Sequence, residues 1–172
     1  MILQGEGISH YLNNQIQFDD PSESSHWKLY HSNFKFTGTG FEGLAGFGGC
    51  DPEYKGLNKI IVNLFQFPFR AIAYKYSSFG KLDKIAKETL KKASRAYDID
   101  VLRQVITLSM LVDKIGKNHN NSLVIGDGFS SFTTLAHLSN FSKNTTVINL
   151  TKTLFVDLWY LRISLGEKAF NK

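Results

Sequence analysis

The sequence predicts an α/β fold in which a helical region precedes the start of a parallel sheet. A short apolar run, residues 123–125, stops at the turn Gly126-Asp127-Gly128, and a helix-like pattern follows. A second apolar run comes at residues 146–150, and residues 154–161 then predict another helix. This β-α-β-α order is that of a Rossmann-like sheet. Only two strands are visible, so we expect the sheet to be incomplete.

The pattern along the chain predicts three parts. Residues 1–25 are polar and predict a loose lead-in, and residues 26–116 predict a helical region that opens with a short helix. Within it, residues 38–49 hold six glycines that alternate with Phe and Leu. Glycine disfavours a helix by about 1 kcal/mol per residue relative to alanine. We therefore predict an ordered, irregular loop there, either a lid or a packed connector. Residues 117–172 predict the first part of a cofactor-binding domain.

The first long helix is predicted from residue 54, because apolar residues recur at helical spacing from Leu57 to Leu64. Proline inside a helix removes a backbone donor, so we expect Pro68 to end it. Residues 69–79 then predict a second short helical piece that ends at Gly80.

A basic amphipathic helix is predicted at residues 82–95, and a strong apolar helix follows. The strong helix is capped by Asp98 or Asp100 and ends at Gly116, since Asp favours the N-cap and Gly the left-handed C-terminal position.

The basic helix places positions 84, 87, 91 and 95 on one face. This face is either a solvated surface or a patch for a phosphate-bearing or nucleic-acid partner. No aromatic residue interleaves with those lysines, which disfavours nucleic acid.

Composition excludes several classes of protein. The 172 residues carry a net charge of +5, with 42% apolar and 20% charged residues, as in a soluble globular protein. No run approaches the roughly 20 apolar residues of a membrane span, and no signal peptide is visible. A lone cysteine, Cys50, excludes an internal disulfide and a thiolate zinc cluster. We predict a cytoplasmic location and no metal site.

The glycine turn predicts a nucleotide-type cofactor site. Glycines there let the backbone approach a ligand, and the following helix points its N–H groups at it. A polar residue at the end of the next strand, about 20 residues on, reaches the ribose hydroxyls; Asn149 stands 21 residues after Gly128. The alternative is an ordinary strand-turn-helix in which the glycines serve packing. The predicted cofactor-binding residues are Gly126, Asp127, Gly128, Phe129 and Asn149.

These residues resemble a known family. The run 123–129, Leu-Val-Ile-Gly-Asp-Gly-Phe, resembles the first motif of class I S-adenosylmethionine-dependent methyltransferases. Residues 148–154, Ile-Asn-Leu-Thr-Lys-Thr-Leu, running into residues 159–161, Trp-Tyr-Leu, resemble the "I-D-L-P-x-x-L … Y-Y-L" stretch of the sugar O-methyltransferases within that class. The close match covers about residues 122–166. The match upstream is looser: the family also has a helical region with aromatic segments ahead of the cofactor domain, as predicted here for residues 26–116.

The resemblance implies methyl transfer from S-adenosyl-L-methionine to a hydroxyl of a sugar or glycan. Residues 126–128 would line the methionine and ribose side of the cofactor, and Asn149 would stand at the ribose diol. Three positions depart from the family pattern: Val124 and Asn149 replace acids, and Ser130 replaces a glycine. The family's sheet has seven strands, so we expect this chain to be an N-terminal fragment of a longer enzyme, or a truncated gene product that is inactive alone.

Candidates for a general base are His26 and His31, which lie close in sequence before the glycine-rich loop. Either is also compatible with a plain surface or packing role. Two other functions fit the pattern. One is a dinucleotide-dependent oxidoreductase, although the glycines read Gly-x-Gly-x-x-Phe rather than Gly-x-Gly-x-x-Gly. The other is a non-catalytic helical interaction protein, whose basic helix at residues 81–95 meets an acidic partner.

Overall fold

A computed structural model describes residues 24–31, 35–36, 41–43, 51–166 and 170. These residues form six helices and two small sheets, which confirms the predicted α/β class. In chain order the elements are α1 (Ser25–His31), β1 (Lys35–Phe36), β2 (Phe41–Glu42), α2 (Gly56–Ala73), α3 (Phe79–Lys92), α4 (Ile99–Ile115), β3 (His119–Ile125), α5 (Ser131–Leu138), β4 (Ser142–Ile148) and α6 (Thr151–Leu165).

The two short strands β1 and β2 pair antiparallel, with Lys35 opposite Glu42 and Phe36 opposite Phe41. Strand β2 falls within the predicted glycine-rich loop. The rest of that loop, apart from Gly43, lies outside the described residues, and so does the predicted lead-in up to residue 23.

Helix α2 is longer than the sequence predicts, because Pro68 lies inside it and the helix continues to Ala73. The expected break at Pro68 is wrong. Proline removes the one donor that would bond the Leu64 carbonyl, and Leu64 is 73% exposed, so water can replace that bond. The predicted short helix at 69–79 does not form separately, since residues 74–78 make turns and Gly80 lies within α3.

Helix α3 ends at Lys92, three residues before the predicted end. Ser94 adopts a left-handed φ of 54°, and the Arg95 N–H donates back to the Leu90 carbonyl at 2.9 Å. This is a Schellman-type ending, with serine in the position that glycine usually takes. Arg95 therefore leaves the basic face and is only 6% exposed, which corrects its predicted place beside residues 84, 87 and 91.

Helix α4 follows its sequence signals closely. Asp98 precedes it and accepts a hydrogen bond from the Val101 N–H at 2.9 Å, and Gly116 ends it with a φ of 81°. Helices α3, α4 and α5 pack together around the main core. The fully buried side chains at its centre include Phe79, Leu82, Leu102, Val105 and Leu108.

Strands β3 and β4 pair in parallel, with α5 between them in the chain, so the β-α-β-α order is confirmed. Val124 pairs with Val147, and both are half-buried. The alternate residues Leu123, Ile125 and Ile148 are more than half exposed. Because side chains of a strand alternate between faces, the sheet has one covered face and one open face.

Helix α2 is held to the rest mainly by polar contacts. Arg70 donates to Asp83 Oδ1 at 2.6 Å, and the Tyr97 hydroxyl donates to the same oxygen at 2.7 Å. Gln66 donates to the Tyr97 carbonyl at 2.9 Å. Apart from Gln66 and Ala73, no residue of α2 is buried. Its apolar stripe is therefore exposed, with Leu57, Ile60, Ile61, Leu64, Phe65, Phe67 and Ile72 each more than half accessible.

Candidate cofactor site

The glycine turn follows the C-terminal end of β3. Gly126 and Gly128 have φ angles of 69° and 62°, a region that glycine enters without steric cost. The Gly126 N–H donates to the Ile148 carbonyl at 2.9 Å, so the turn begins where the parallel pair ends. A Cβ built on either glycine would meet no described atom within 4 Å. The turn therefore presents its backbone to open space.

An open cleft of about 280 Å³ lies beside this turn. Its lining includes Gln104 of α4, Ile125 and Gly126 at the strand end, and Phe132 of α5. Gln104 Nε2 donates to the Asp127 backbone carbonyl at 3.1 Å, so α4 supports the turn from one side. Clefts outside the carboxyl ends of parallel strands are the usual place for a ligand in an α/β sheet.

Asp127 turns its carboxylate toward helix α5. The carboxylate accepts hydrogen bonds from the N–H groups of Phe132 and Thr133, each at 2.8 Å. It thereby caps the first turn of the helix, and its charge lies at the positive end of the helix dipole. The expectation that this helix offers its N–H groups to a ligand is wrong for these two, because Asp127 already occupies them. Ser130, the residue before the helix, makes no side-chain capping bond.

Phe129 and Ser130 both adopt left-handed φ angles, 66° and 58°. This conformation costs a non-glycine residue about 1–2 kcal/mol. Surrounding contacts hold it: Arg95 donates to the Phe129 carbonyl at 3.1 Å. The N–H of Ser130 donates to Asp157 Oδ1 at 2.9 Å, and its hydroxyl donates to the Asp157 carbonyl at 2.6 Å. Ser130 thus has the backbone that the glycine common at this position would favour.

Asn149 lies just after β4 and folds against the start of α6. Its Nδ2 donates to Asp157 Oδ2 at 2.8 Å, and its Oδ1 accepts from the Leu150 N–H at 2.9 Å. An asparagine side chain has two N–H groups and two oxygen lone pairs. Among the residues that the structure describes, one of each is used, so one donor and one acceptor are left over. Asn149 itself is half-buried.

Asp157 is the most buried charged group of this network, with 2% of its surface exposed. Burial raises the pKa of its carboxyl to about 7, and the negative charge of Asp127 adds to that rise. The hydrogen bonds from Asn149 and Ser130 oppose it, since they stabilise the ionised form. Burial also raises the pKa of Asp127 above its ordinary value. Two neighbouring carboxyls are therefore both costly to ionise.

The five predicted cofactor residues lie near one edge of the parallel sheet, and of these five Gly126 and Asp127 line the cleft, whereas Gly128, Phe129 and Asn149 do not. Gly126 joins the end of β4 through its backbone, while Asn149 connects through Asp157 to Ser130, next to Phe129. The predicted bases, His26 and His31, belong to α1, and their side chains lie outside the described residues.

Three residues that shape the site escaped the sequence analysis. Gln104 and Arg95 bind the turn from α4 and from the end of α3, and nothing in their local pattern indicates this. Asp157 did carry a signal. It is the one acid in the apolar run from Leu154 to Leu161, and a lone carboxyl on a buried helix needs hydrogen-bond donors facing it.

No family model, curated protein or solved structure matches the chain. Among the residues that the structure describes, no group of three or more His, Cys, Asp or Glu side chains is placed to hold a metal ion. None of the helices in the described ranges is long and apolar enough to cross a bilayer.

Proposed function

We propose that the chain binds S-adenosyl-L-methionine in the cleft beside Gly126–Gly128 and takes part in methyl transfer to a hydroxyl of a sugar or glycan. The observation that carries the proposal is the glycine turn itself. It follows the first of two parallel strands, has positive φ at both glycines, and faces an open cleft at the carboxyl end of that strand. Rossmann-like units bind nucleoside cofactors at this place.

The residues present fit such a cofactor in specific ways. Neither glycine has a described atom within 4 Å of where a Cβ would stand, so a ligand can approach the backbone closely. Asn149, at the end of the neighbouring strand, has one N–H and one lone pair that no other described residue uses, and we assign these to a ribose diol. Asp127 has a structural part in this proposal, because its carboxylate is committed to the N-terminus of α5.

When bound, S-adenosyl-L-methionine supplies a methyl group that its sulfonium has already activated. The protein then has to align the acceptor hydroxyl and remove its proton as the new C–O bond forms. His26 and His31 are the candidates for that base. Asp157 is too deeply buried to touch a substrate, so we assign it the positioning of Asn149 and Ser130.

The test is to titrate the full chain with S-adenosylhomocysteine, NAD and heparin by calorimetry. We expect S-adenosylhomocysteine to bind and NAD not to bind. Saturable binding of NAD alone would favour the oxidoreductase instead, and binding of heparin alone would favour an interaction protein with an acidic partner. Either of those results would overturn the proposal.

A pair of variants then locates the site. In Gly126→Leu a side chain enters the cleft, and we expect binding of S-adenosylhomocysteine to be lost. Gly116→Leu is the matched control, since Gly116 has a similar φ of 81° and equally open surroundings but lies at the end of α4, outside the cleft lining. If both variants fold and lose the ligand equally, the cleft is not the site. Methyl transfer to sugar acceptors, followed with labelled cofactor, tests the reaction itself.

A further inference from the structure

Helix α2 turns its polar face to the protein and its apolar face outward. On the polar face, Gln66 donates to the Tyr97 carbonyl and Arg70 donates to Asp83. A surface helix usually buries its apolar face instead. The outward face, which we call the apolar stripe, consists of large side chains that are 44–73% exposed: Leu57, Ile60, Ile61, Leu64, Phe65, Phe67, Phe69, Ile72 and, just after the helix, Tyr74.

The apolar stripe is larger than an ordinary exposed patch. Helix α2 has 18 residues and is about 27 Å long. With about 150–250 Å² for a fully accessible aromatic side chain, the stripe exposes on the order of 1,000 Å² of apolar surface. The largest apolar patch on a typical monomeric protein is about 300–600 Å² and is often functional. The stripe therefore has the size and composition of a contact surface.

The segment that carries the apolar stripe is basic. From residue 54 to residue 82 the chain contains no Asp or Glu, although it contains five Lys or Arg residues. Lys59 and Arg70, within the helix, are paired with carboxylates. Lys55 lies one residue before α2 and Lys75 two residues after it, and both are exposed. Within the part of the chain that the structure describes, neither of these two pairs with a carboxylate. Each end of the stripe therefore has an unpaired lysine.

We propose that the apolar stripe of α2 lies on the surface of an anionic lipid bilayer, with Lys55 and Lys75 at phospholipid head groups. A helix that binds in this way places its apolar face about 5–10 Å into the boundary between head groups and acyl chains, and anionic lipids attract the nearby lysines. A lysine side chain can follow the apolar surface with its methylenes and keep its ammonium at the head groups. Helix α2 lies along the bilayer and does not cross it. The inference does not depend on the proposed cofactor.

Two observations favour a bilayer over a second copy of this chain. A symmetric pair of α2 helices would bring the lysines of both copies into one contact, where like charges cost free energy. In addition, Pro68 removes the N–H that would bond the carbonyl of Leu64, a member of the stripe. The head-group region supplies water for this carbonyl, whereas the buried centre of a protein interface excludes water. The stripe therefore fits a hydrated anionic surface.

The experiment is cosedimentation of the full chain with vesicles of phosphatidylcholine, either alone or with about 30% phosphatidylserine. We expect binding to the anionic vesicles and binding at least about tenfold weaker to the neutral ones. No binding to the anionic vesicles would overturn the proposal, and so would equal binding to both kinds. Light scattering without vesicles tests the other occupant: a stable dimer that Ile61→Gln dissociates, together with no vesicle binding, would assign the stripe to a second copy.

Matched variants separate the apolar stripe from exposed apolar surface elsewhere. Ile61 and Ile148 are 55% and 54% exposed, but Ile148 lies on the open face of the sheet. We expect Ile61→Gln to weaken binding to the anionic vesicles about tenfold and Ile148→Gln less than about twofold. Leu64→Gln, at another exposed position of the stripe, should behave as Ile61→Gln does. Equal weakening by Ile61→Gln and Ile148→Gln would refute the assignment to α2.

A second pair of variants tests the lysines. Lys75→Gln and Lys143→Gln each remove one exposed positive charge, but Lys143 lies on β4. We expect Lys75→Gln to weaken binding about fivefold and Lys143→Gln less than about twofold. Equal weakening by the two would show diffuse attraction by net charge and would contradict the proposed orientation. Binding of S-adenosylhomocysteine should be unchanged in Ile61→Gln and Lys75→Gln, so this proposal and the proposed function can fail separately.

Discussion

Asn149 Nδ2 donates to Asp157 Oδ2 across 2.8 Å, joining the end of strand β4 to helix α6. The other oxygen of the same carboxylate accepts from the Ser130 N–H at 2.9 Å. One buried carboxylate thus holds the residue that leads into α5 and the residue that follows β4. The backbone leading into α5 and the side chain that follows β4 both depend on this acceptor, so its protonation and its partners can be tested directly.

Replacing Asn149 should lower the free energy of unfolding by an amount that depends on pH. In Asn149→Ala the Asp157 oxygen and the Leu150 N–H both lose a partner. We expect a loss of about 1–3 kcal/mol in the free energy of unfolding at pH 8, where Asp157 is ionised. At pH 5 the loss should be smaller, because a protonated carboxyl needs fewer donors. Urea unfolding at both values measures this. Asn120→Ala, at an exposed position on β3, is the control, and equal losses at the two pH values would contradict the role of ionised Asp157.

Asp157 should make the protein less stable as pH rises. Its folded pKa of about 7 lies above the ordinary value of 3.8, so between these values the folded state binds more protons than the unfolded state. The contribution of Asp157 to the free energy of unfolding is fully present below about pH 4. It decreases by up to about 4 kcal/mol as the pH rises to about 7. In Asp157→Asn this slope should be absent. A stability difference between variant and wild type that stays constant from pH 4 to 7 would rule out the raised pKa.

Two arginine–aspartate pairs should differ strongly in their effect on stability. Arg70 pairs with Asp83, whose side chain is 7% exposed, whereas Arg103 pairs with the 37% exposed side chain of Asp100. Arg70→Met leaves a buried carboxylate with fewer partners and should cost about 3 kcal/mol. Arg103→Met should cost less than about 1 kcal/mol. Chemical denaturation of both variants decides this, and similar values for the two would mean that Asp83 is not the anchor of α2.

Lowering the pH should weaken that anchor in the wild type. Although burial opposes it, the hydrogen bonds from Lys87, Tyr97 and Arg70 lower the pKa of Asp83 below 3.8. Its contribution is therefore present above about pH 4 and lost as pH falls through the lowered pKa. Unfolding followed from pH 5 to pH 2 should lose stability in the wild type. The loss should be smaller in Arg70→Met, and identical curves would contradict the pairing.

Replacing a leucine by alanine should destabilise the protein far more in α4 than in α2. Leu102 is fully buried, while Leu64 is 73% exposed. Leu102→Ala should cost about 2–5 kcal/mol through lost burial and a cavity. Leu64→Ala should change stability by less than about 0.5 kcal/mol. Thermal unfolding measures both, and a large cost for Leu64→Ala would show that its side chain is covered in solution.

Local signals in the sequence were enough to predict where several elements begin and end. Asp98 and Gly116 marked the ends of α4, and the glycines at 126 and 128 marked the turn between β3 and α5. Each of these depends on a backbone preference of the residue itself, which a short stretch of sequence reveals. The parallel pairing of β3 with β4 followed from their apolar runs and the helix between them.

What the sequence did not reveal depends on distant partners. Ser94 and Ser130 take left-handed conformations that their own side chains do not favour. Ser130 is held there by Asp157, 27 residues away. Asn149 matched the expected spacing to a ribose, yet Asp157 and the Leu150 N–H together already use half of its hydrogen-bonding groups. The spacing of residues in the sequence predicts that a side chain lies at an edge of the sheet, but it does not predict which residues that side chain contacts.

The left-handed backbone at Ser130 also restricts which amino acids the protein tolerates at this position. Glycine, asparagine and aspartate tolerate such a φ, whereas a β-branched residue clashes with its own main chain. In a saturation library at this position, main-chain tolerance will select first, and the buried hydrogen bond from the Ser130 hydroxyl to the Asp157 carbonyl will select among the residues that remain. Threonine is the closest chemical relative of serine, yet we expect it to be absent from the folded variants, because it is β-branched.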